Sequence, residues 1–129
     1  MLKRQIVGGS LCSKSDLLGL RGAAALVWCD CEGGENQLFD PTVAEALRSS
    51  DIVIEAHDFV APFTAQRMLL MMSETHDVTV SHSVPDLYRP LVYPQDYLAG
   101  VPEGDRISLM AEQRPAPMQW LWCKTREGR

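Results

Sequence analysis

Residues 23–35, which read AAALVWCDCEGGE, decide the architecture predicted for this chain. Residues 23–29 form a short apolar run after a glycine, and charged residues and glycines follow it abruptly. Such a run is typical of a strand that is buried on both faces in a parallel sheet. Residues 51–55, DIVIE, indicate a second buried strand of the same kind.

Helix signals surround these two strands. Ser13 with Asp16 three positions later predicts a capped short helix, and Asp40 followed by Pro41 predicts the start of another. A third helix is expected after Pro62, where apolar residues recur with helical spacing. Further strands are predicted at residues 4–7, 78–82 and 118–124. Strands alternating with helices of about ten residues favour an α/β fold with a mostly parallel sheet.

The stretch from residue 85 to residue 117 is less regular. Prolines interrupt it repeatedly, which predicts loops and turns rather than a continued alternation of strands and helices. A short helix is expected over residues 105–112, and a strand over residues 107–111 is the alternative interpretation.

The composition is that of an ordinary globular protein, since 46% of the 129 residues are hydrophobic and 22% are charged. We therefore expect a single domain over residues 1–129. The formal net charge of -5 disfavours nucleic-acid binding, because phosphates require a basic surface. No apolar run reaches the ~20 residues that span a bilayer, so we expect no membrane association. A cytoplasmic location is expected, with the four cysteines as reduced thiols.

The richest polar clusters of the sequence stand at the ends of the two predicted buried strands. They are Asp30, Glu32 and Glu35 after the first strand, and Glu55, His57 and Asp58 at the end of the second. Ligands of open parallel sheets bind beyond the carboxyl ends of the strands. If the two strands are neighbours, we therefore expect both clusters to face one crevice.

The same residues carry a family resemblance. Residues 25–35, ALVWCDCEGGE, resemble the fourth-strand motif of class I S-adenosylmethionine-dependent methyltransferases, especially the FkbM-like branch, where Asp-x-Glu-Gly-x-Glu ends that strand. Residues 51–58, DIVIEAHD, are similar to the fifth strand of that group. Residues 64–78 resemble its next helix and strand, and residues 112–122 resemble its closing segment.

The resemblance implies the C-terminal portion of a Rossmann-like three-layer sandwich, with a mostly parallel sheet and an antiparallel last strand. It implies a methyltransferase acting on a small-molecule acceptor, with a carboxylate or imidazole taking the acceptor proton. The catalytic residues are then Asp30, Glu32 and His57, and Asp30 also faces the cofactor. The residues assigned to the substrate are Glu35, Glu55 and Asp58.

The cofactor-binding elements of that family lie earlier in the domain. They are a glycine-rich turn after the first strand and an acidic residue after the second strand. Residues 1–24 contain neither element, since Gly8-Gly9 is not followed by a helix start. We therefore expect a chain that does not bind S-adenosylmethionine or catalyse methyl transfer by itself. Its expected protein partner is an N-terminal half of the fold or a second copy of the chain.

Other interpretations of these residues stay open. Asp30 and Glu32 could simply cap the following segment, and His57 beside Asp58 could be a satisfied polar pair. A divalent ion held by Asp30, Glu32 and Asp58 is chemically reasonable, because hard cations prefer oxygen ligands. However, we predict no metal site, and the Cys-x-Cys pair at residues 29–31 lacks the second ligand pair of a structural zinc site.

Two other functional classes compete with methyl transfer. One is a non-catalytic module with the methyltransferase fold, which would dimerise or bind a partner through an exposed edge or face of its sheet. The other is a small metal-dependent hydrolase that uses the acidic clusters, suggested by the His-Asp pairs at residues 57–58 and 76–77.

Overall fold

In the described part of the chain, four strands form one open sheet in the order β1-β2-β4-β3. The structure is a computed structural model that describes residues 13–126, so the strand expected at residues 4–7 lies outside the described residues. The strands are β1 (Leu26–Cys29), β2 (Asp51–Ala56), β3 (His76–His82) and β4 (Gln119–Thr125).

Strand directions follow from the backbone pairing. β1 and β2 are parallel, with Cys29 opposite Ile54. β4 is the last strand in sequence but pairs with β2, and it runs antiparallel to it with Leu121 opposite Ile54. The predicted α/β class and the antiparallel C-terminal strand are therefore confirmed. The carboxyl ends of β1 and β2 lie side by side at the same end of the sheet.

Side-chain caps at Ser13 and Asp40 mark the start of two helices of the sheet region. α1 (Lys14–Leu18) starts with the predicted capping box between Ser13 and Asp16. α3 (Pro41–Ala46) starts where the Asp40 carboxylate accepts a hydrogen bond from the Val43 amide at 3.0 Å. α4 (Thr64–Met72) has nine residues and follows Pro62 as expected. The other helices are shorter than the predicted ten residues.

One short helix of the sheet region has no counterpart among the predictions. α2 (Glu35–Leu38) has four residues and directly follows the polar stretch after β1. Its first residue, Glu35, has no exposed surface. A single helical turn is too short to show an amphipathic repeat, and therefore the sequence pattern does not predict it.

The hydrophobic core lies against one face of the sheet. Alternate residues of β2 and β4 point to this face, since neighbouring side chains of a strand project to opposite sides. They pack in one cluster with apolar residues of α1, α3 and α4. The sheet residues in the cluster are Cys29, Ile52, Ile54, Ala56, Leu121 and Cys123.

β1 is less buried than its apolar sequence predicts. Leu26 and Trp28 are 68% and 63% exposed, and only Cys29 of this strand is buried. The expectation that this strand is buried on both faces is therefore wrong. Among residues 13–126, β1 lies at the edge of the sheet, with β2 as its only neighbour in the sheet order. A continuous apolar run does not distinguish a central strand from an edge strand with one open face.

Residues 82–117 form a compact unit of their own, and the remaining described residues form the other unit. It contains α5 (Arg89–Val92), α6 (Glu103–Met110) and two 3-10 turns at Asp86–Tyr88 and Asp96–Leu98. The helix predicted over residues 105–112 is therefore present with earlier bounds, and the alternative strand is wrong. The single domain over residues 1–129 stays a prediction.

An ion-pair network holds the ends of this second unit together. Arg89 Nη2 lies 2.7 Å from Glu112 Oε1, and Arg89 Nε lies 3.3 Å from Asp86 Oδ1. Burial alone would raise the pKa of Glu112, but Arg89 and Arg114 hold it below its ordinary value. Within residues 13–126, no helix is both long enough and apolar enough to cross a bilayer.

Candidate functional site

The parallel pairing of β1 and β2 brings polar side chains from the two strand ends together. His57 follows β2, and its Nε2 atom lies 3.6 Å from Asp30 Oδ1 and 3.4 Å from Glu32 Oε2, both after β1. The His57 side chain is only 3% exposed, whereas Asp30 and Glu32 are 45% and 80% exposed. A buried imidazole thus presents Nε2 to two carboxylates that are open to solvent. We call Asp30, Glu32 and His57 the strand-end cluster.

Glu35 contacts the imidazole from the inner side. Its Oε1 atom lies 2.6 Å from His57 Nδ1, and the carboxylate has no exposed surface. The Gly33 amide also donates to Glu35 Oε1 at 3.3 Å, and Glu35 Oε2 is buried without a hydrogen-bond partner. Glu35 is therefore placed to orient His57 rather than to meet a substrate directly. Its assignment to the substrate stays a prediction that this burial does not favour.

A constrained loop holds the two carboxylates in position. Glu32 and Gly33 both have positive φ angles, 52° and 101°. A Cβ atom added to Gly33 would lie 2.5 Å from Val60 Cγ1, which is closer than any ordinary contact. The loop after β1 therefore packs directly against the loop after β2, and only glycine fits at this position.

Asp58 and Glu55 are not members of the strand-end cluster. Asp58 Oδ1 accepts a hydrogen bond from the Ala65 amide at 2.8 Å, so that it caps the start of α4. Glu55 is 5% exposed and pairs through its backbone with Trp120 of β4, within the sheet. His57 and Asp58 bond to different groups, so the interpretation as one satisfied pair does not describe them. The assignments of Asp58 and Glu55 to the substrate stay predictions.

Apolar side chains lie beside the strand-end cluster, and sequence reasoning missed them. The Phe59 ring meets the His57 ring edge-on, with centroids 5.7 Å apart. Phe59, Val60 and Phe63 are 42%, 53% and 69% exposed. The sequence FVAPF at residues 59–63, directly after His57-Asp58, was the available signal. A ligand at the cluster could place an apolar group against this loop.

The thiols near the site are poor nucleophiles. Cys29 Sγ and Cys31 Sγ lie 3.3 Å apart, and burial raises the pKa of both thiols above the ordinary cysteine value. Burial likewise raises the pKa of Cys123 to about 12. Cys29, Cys31 and Cys123 are free thiols. They are therefore protonated at neutral pH, and protonated thiols are weak nucleophiles and weak metal ligands.

A separate polar cavity of about 270 Å³ lies near the amino end of β2, opposite the end that His57 follows. It is lined by Arg48, Ser49, Glu74, Thr75, Thr125 and Arg126. Arg126 is engaged there by the Ser73 and His76 carbonyls, and its Nε lies 3.1 Å from Asp77 Oδ1. None of the residues predicted for function lines this cavity.

Comparisons of the chain with protein-family models, curated proteins and solved structures found no match. If His57 Nδ1 donates its proton to Glu35, Nε2 carries the lone pair. The strand-end cluster then combines one nitrogen base with two carboxylates, which suits it to accept a proton or to hold a cation.

Proposed function

We propose that this chain forms the acceptor side of an S-adenosylmethionine-dependent methyl-transfer site, in the C-terminal portion of a Rossmann-like fold. The observation that carries the proposal is the convergence of Asp30, Glu32 and His57 at the carboxyl ends of two adjacent parallel strands. The resemblance of both strand ends to class I methyltransferases supports it. The antiparallel last strand agrees with the same resemblance.

The residues of the cluster suit this chemistry electrostatically. When bound, S-adenosylmethionine supplies an electrophilic methyl group on a positively charged sulfur. The carboxylates of Asp30 and Glu32, with Glu35 buried behind His57, give this edge of the sheet a negative potential that attracts such a cation. The exposed ring of Phe59 offers an apolar contact next to the same position.

His57 would act as the proton acceptor. Its Nε2 atom takes the proton of an acceptor hydroxyl or amine while Glu35 keeps the imidazole in place through Nδ1 and stabilises the imidazolium that forms. Asp30 and Glu32 orient the acceptor by hydrogen bonds, which holds its nucleophilic atom in line for transfer. We propose that a donor-binding half of the fold, on a partner polypeptide or in a second copy of the chain, completes the site.

The test is an NMR titration of the ¹⁵N-labelled full chain with S-adenosylmethionine and, separately, S-adenosylhomocysteine, up to millimolar concentration because binding to one half of a site is weak. We expect the largest amide shifts at residues 29–35 and 56–59. We also expect the charged sulfonium compound to act at lower concentration than its neutral product. Glu32→Gln should reduce that preference because it deletes one of the exposed negative charges.

A matched control is Glu74→Gln, which deletes an exposed charge at the opposite end of the sheet and should leave the titration unchanged. Shifts centred on the cavity near Arg48, or no shift at all with either compound, would contradict the proposal. An equal response to both compounds would contradict the electrostatic role of the carboxylates.

A second candidate is the interaction module, which the exposure of Leu26 and Trp28 on the edge strand favours. Such a module would bind its partner through β1, and the strand-end cluster would have no chemical role. It predicts that Glu32→Gln leaves partner binding unchanged while a charge at Trp28 abolishes it. The methyltransferase proposal predicts that Glu32→Gln changes donor binding.

A further inference from the structure

We propose that Asp30, Glu32 and His57 bind one transition-metal cation of the Zn²⁺ type, with Glu35 as the group that orients His57. Their ligand atoms, two carboxylate oxygens and one imidazole nitrogen, all lie within 4.8 Å of one another. This set differs from the Asp30, Glu32 and Asp58 triad considered from the sequence, because Asp58 caps α4. It also changes the prediction that the chain has no metal site.

The first argument comes from the imidazole. Glu35 Oε1 lies 2.6 Å from Nδ1, so that Nδ1 is the natural donor and Nε2 keeps its lone pair. Nε2 faces two carboxylates at 3.4 and 3.6 Å, which exceed the ~3.2 Å limit of an ordinary N–H···O hydrogen bond. With the neutral imidazole in that tautomer, three groups that accept but do not donate face one another. A positive charge between them satisfies all three.

The two distances from His57 Nε2 suit a metal ion of a particular size. Bonds of ~2.0–2.1 Å in a tetrahedral arrangement separate neighbouring ligand atoms by ~3.3 Å. The separations of 3.4 and 3.6 Å from His57 Nε2 to Glu32 and Asp30 are close to that value. An imidazole ligand favours zinc and its neighbours over magnesium or calcium, which prefer oxygen ligands alone.

The surroundings resemble those of a metal-bound histidine rather than of a solvated polar patch. A carboxylate on the second ring nitrogen fixes the tautomer and orientation of such histidines, which is the position of Glu35. Glu35 is fully buried and its Oε2 atom has no hydrogen-bond partner. A buried carboxylate requires compensating positive charge, which a metal ion bound to the imidazole supplies.

The exposed side of the cluster leaves a ligand position open. Asp30 and Glu32 are 45% and 80% exposed, so that water or a substrate oxygen can reach an ion held between them. Three protein ligands with one open position is the arrangement of catalytic rather than structural zinc. The role of the ion in catalysis rests on the proposed function. In methyl transfer, the ion would bind an ionisable hydroxyl group of the acceptor and lower the pKa of that hydroxyl. His57 would then serve as a metal ligand instead of a base.

The test is isothermal titration of the metal-free full chain with Zn²⁺, followed by Co²⁺ absorption spectroscopy. We expect one ion per chain, and a Co²⁺ spectrum without the intense charge-transfer band of a thiolate ligand. Glu32→Gln, at a position 80% exposed and therefore safe for folding, should weaken binding at least tenfold. Glu35→Gln should weaken it about 10- to 100-fold without removing a ligand.

Matched controls separate this site from adventitious binding. His82→Gln removes an exposed histidine in the other unit and should leave the affinity unchanged. Cys31→Ser should also leave it unchanged. No binding to the wild type, equal affinity in Glu32→Gln, or loss of binding in Cys31→Ser with a thiolate band would overturn the proposal.

The two proposals fail separately in these experiments. Zn²⁺ binding without any response to S-adenosylmethionine would retain the metal site and remove methyl transfer. Hydrolysis of a phosphate monoester by the zinc-loaded chain, abolished by a chelator, would then favour the hydrolase. A response to S-adenosylmethionine in a chain that binds no Zn²⁺ would remove the metal site alone.

Discussion

Gly33→Ala tests whether the contact between the two strand-end loops holds the site in shape. Gly33 has a φ of 101°, and an added Cβ would lie 2.5 Å from Val60 Cγ1 and 2.9 Å from Val60 Cβ. A left-handed backbone costs an L-residue roughly 1–2 kcal/mol. Overpacking costs roughly 1–3 kcal/mol, and the lower end applies because Val60 is half exposed and can yield. We expect a loss of about 2–3 kcal/mol in the free energy of unfolding.

Two further variants divide this loss into its causes. Gly22→Ala has a φ of 75° with nothing within 4 Å, so it should cost only the conformational part, about 1 kcal/mol. Val60→Ala removes both Cγ atoms, and in a double-mutant cycle with Gly33→Ala it should recover part of the loss. Recovery should be incomplete, because the 2.9 Å contact with Val60 Cβ remains.

Urea unfolding followed by tryptophan fluorescence is a suitable assay. The three tryptophans, Trp28, Trp120 and Trp122, lie in the same unit as Gly33 and report its unfolding. The reasoning would be refuted if Gly33→Ala cost no more than Gly22→Ala, or if Val60→Ala failed to reduce the cost. Either result would mean that the two loops do not pack as closely as described.

Three other outcomes are expected. Lys14, with further hydrogen bonds from neighbouring groups, holds the pKa of Asp40 below its ordinary value. A carboxylate with a lowered pKa stabilises the fold at pH values above its ordinary pKa of ~3.9 and loses this effect as the pH falls. The loss of unfolding free energy that Asp40→Asn causes at pH 7, measured by urea unfolding, should therefore shrink below pH ~3.9. Burial raises the pKa of Cys123 to about 12. Iodoacetamide at pH 8 should therefore label the half-buried Cys31 before the buried Cys123, as measured by peptide mass spectrometry. Unfolding in urea should remove the difference in labelling rate. If the exposed face of β1 mediates self-association, sedimentation should show Trp28→Glu as monomeric at concentrations where the wild type dimerises, with unchanged thermal stability because Trp28 is 63% exposed.

The sequence by itself determined the local features of this protein. The capping box of Ser13 and Asp16 and the cap formed by Asp40 involve groups three residues apart, so their spacing predicts them without tertiary context. The strand at residues 51–56 is also a local feature, since a run of apolar β-branched residues predicts it. Asp30 and His57 were predicted as site residues because polar groups at the ends of parallel strands face a common crevice.

Only the tertiary structure decided which of these polar residues work together. Glu35 was assigned to the substrate from the sequence, but the turn of α2 buries it against His57, 22 residues away. Asp58 is adjacent to His57 in sequence, yet it bonds to the Ala65 amide. The open face of β1 also depends on the position of the strand within the sheet. These outcomes depend on contacts distant in sequence, which local spacing does not encode, because burial and partner choice are set when separate segments pack.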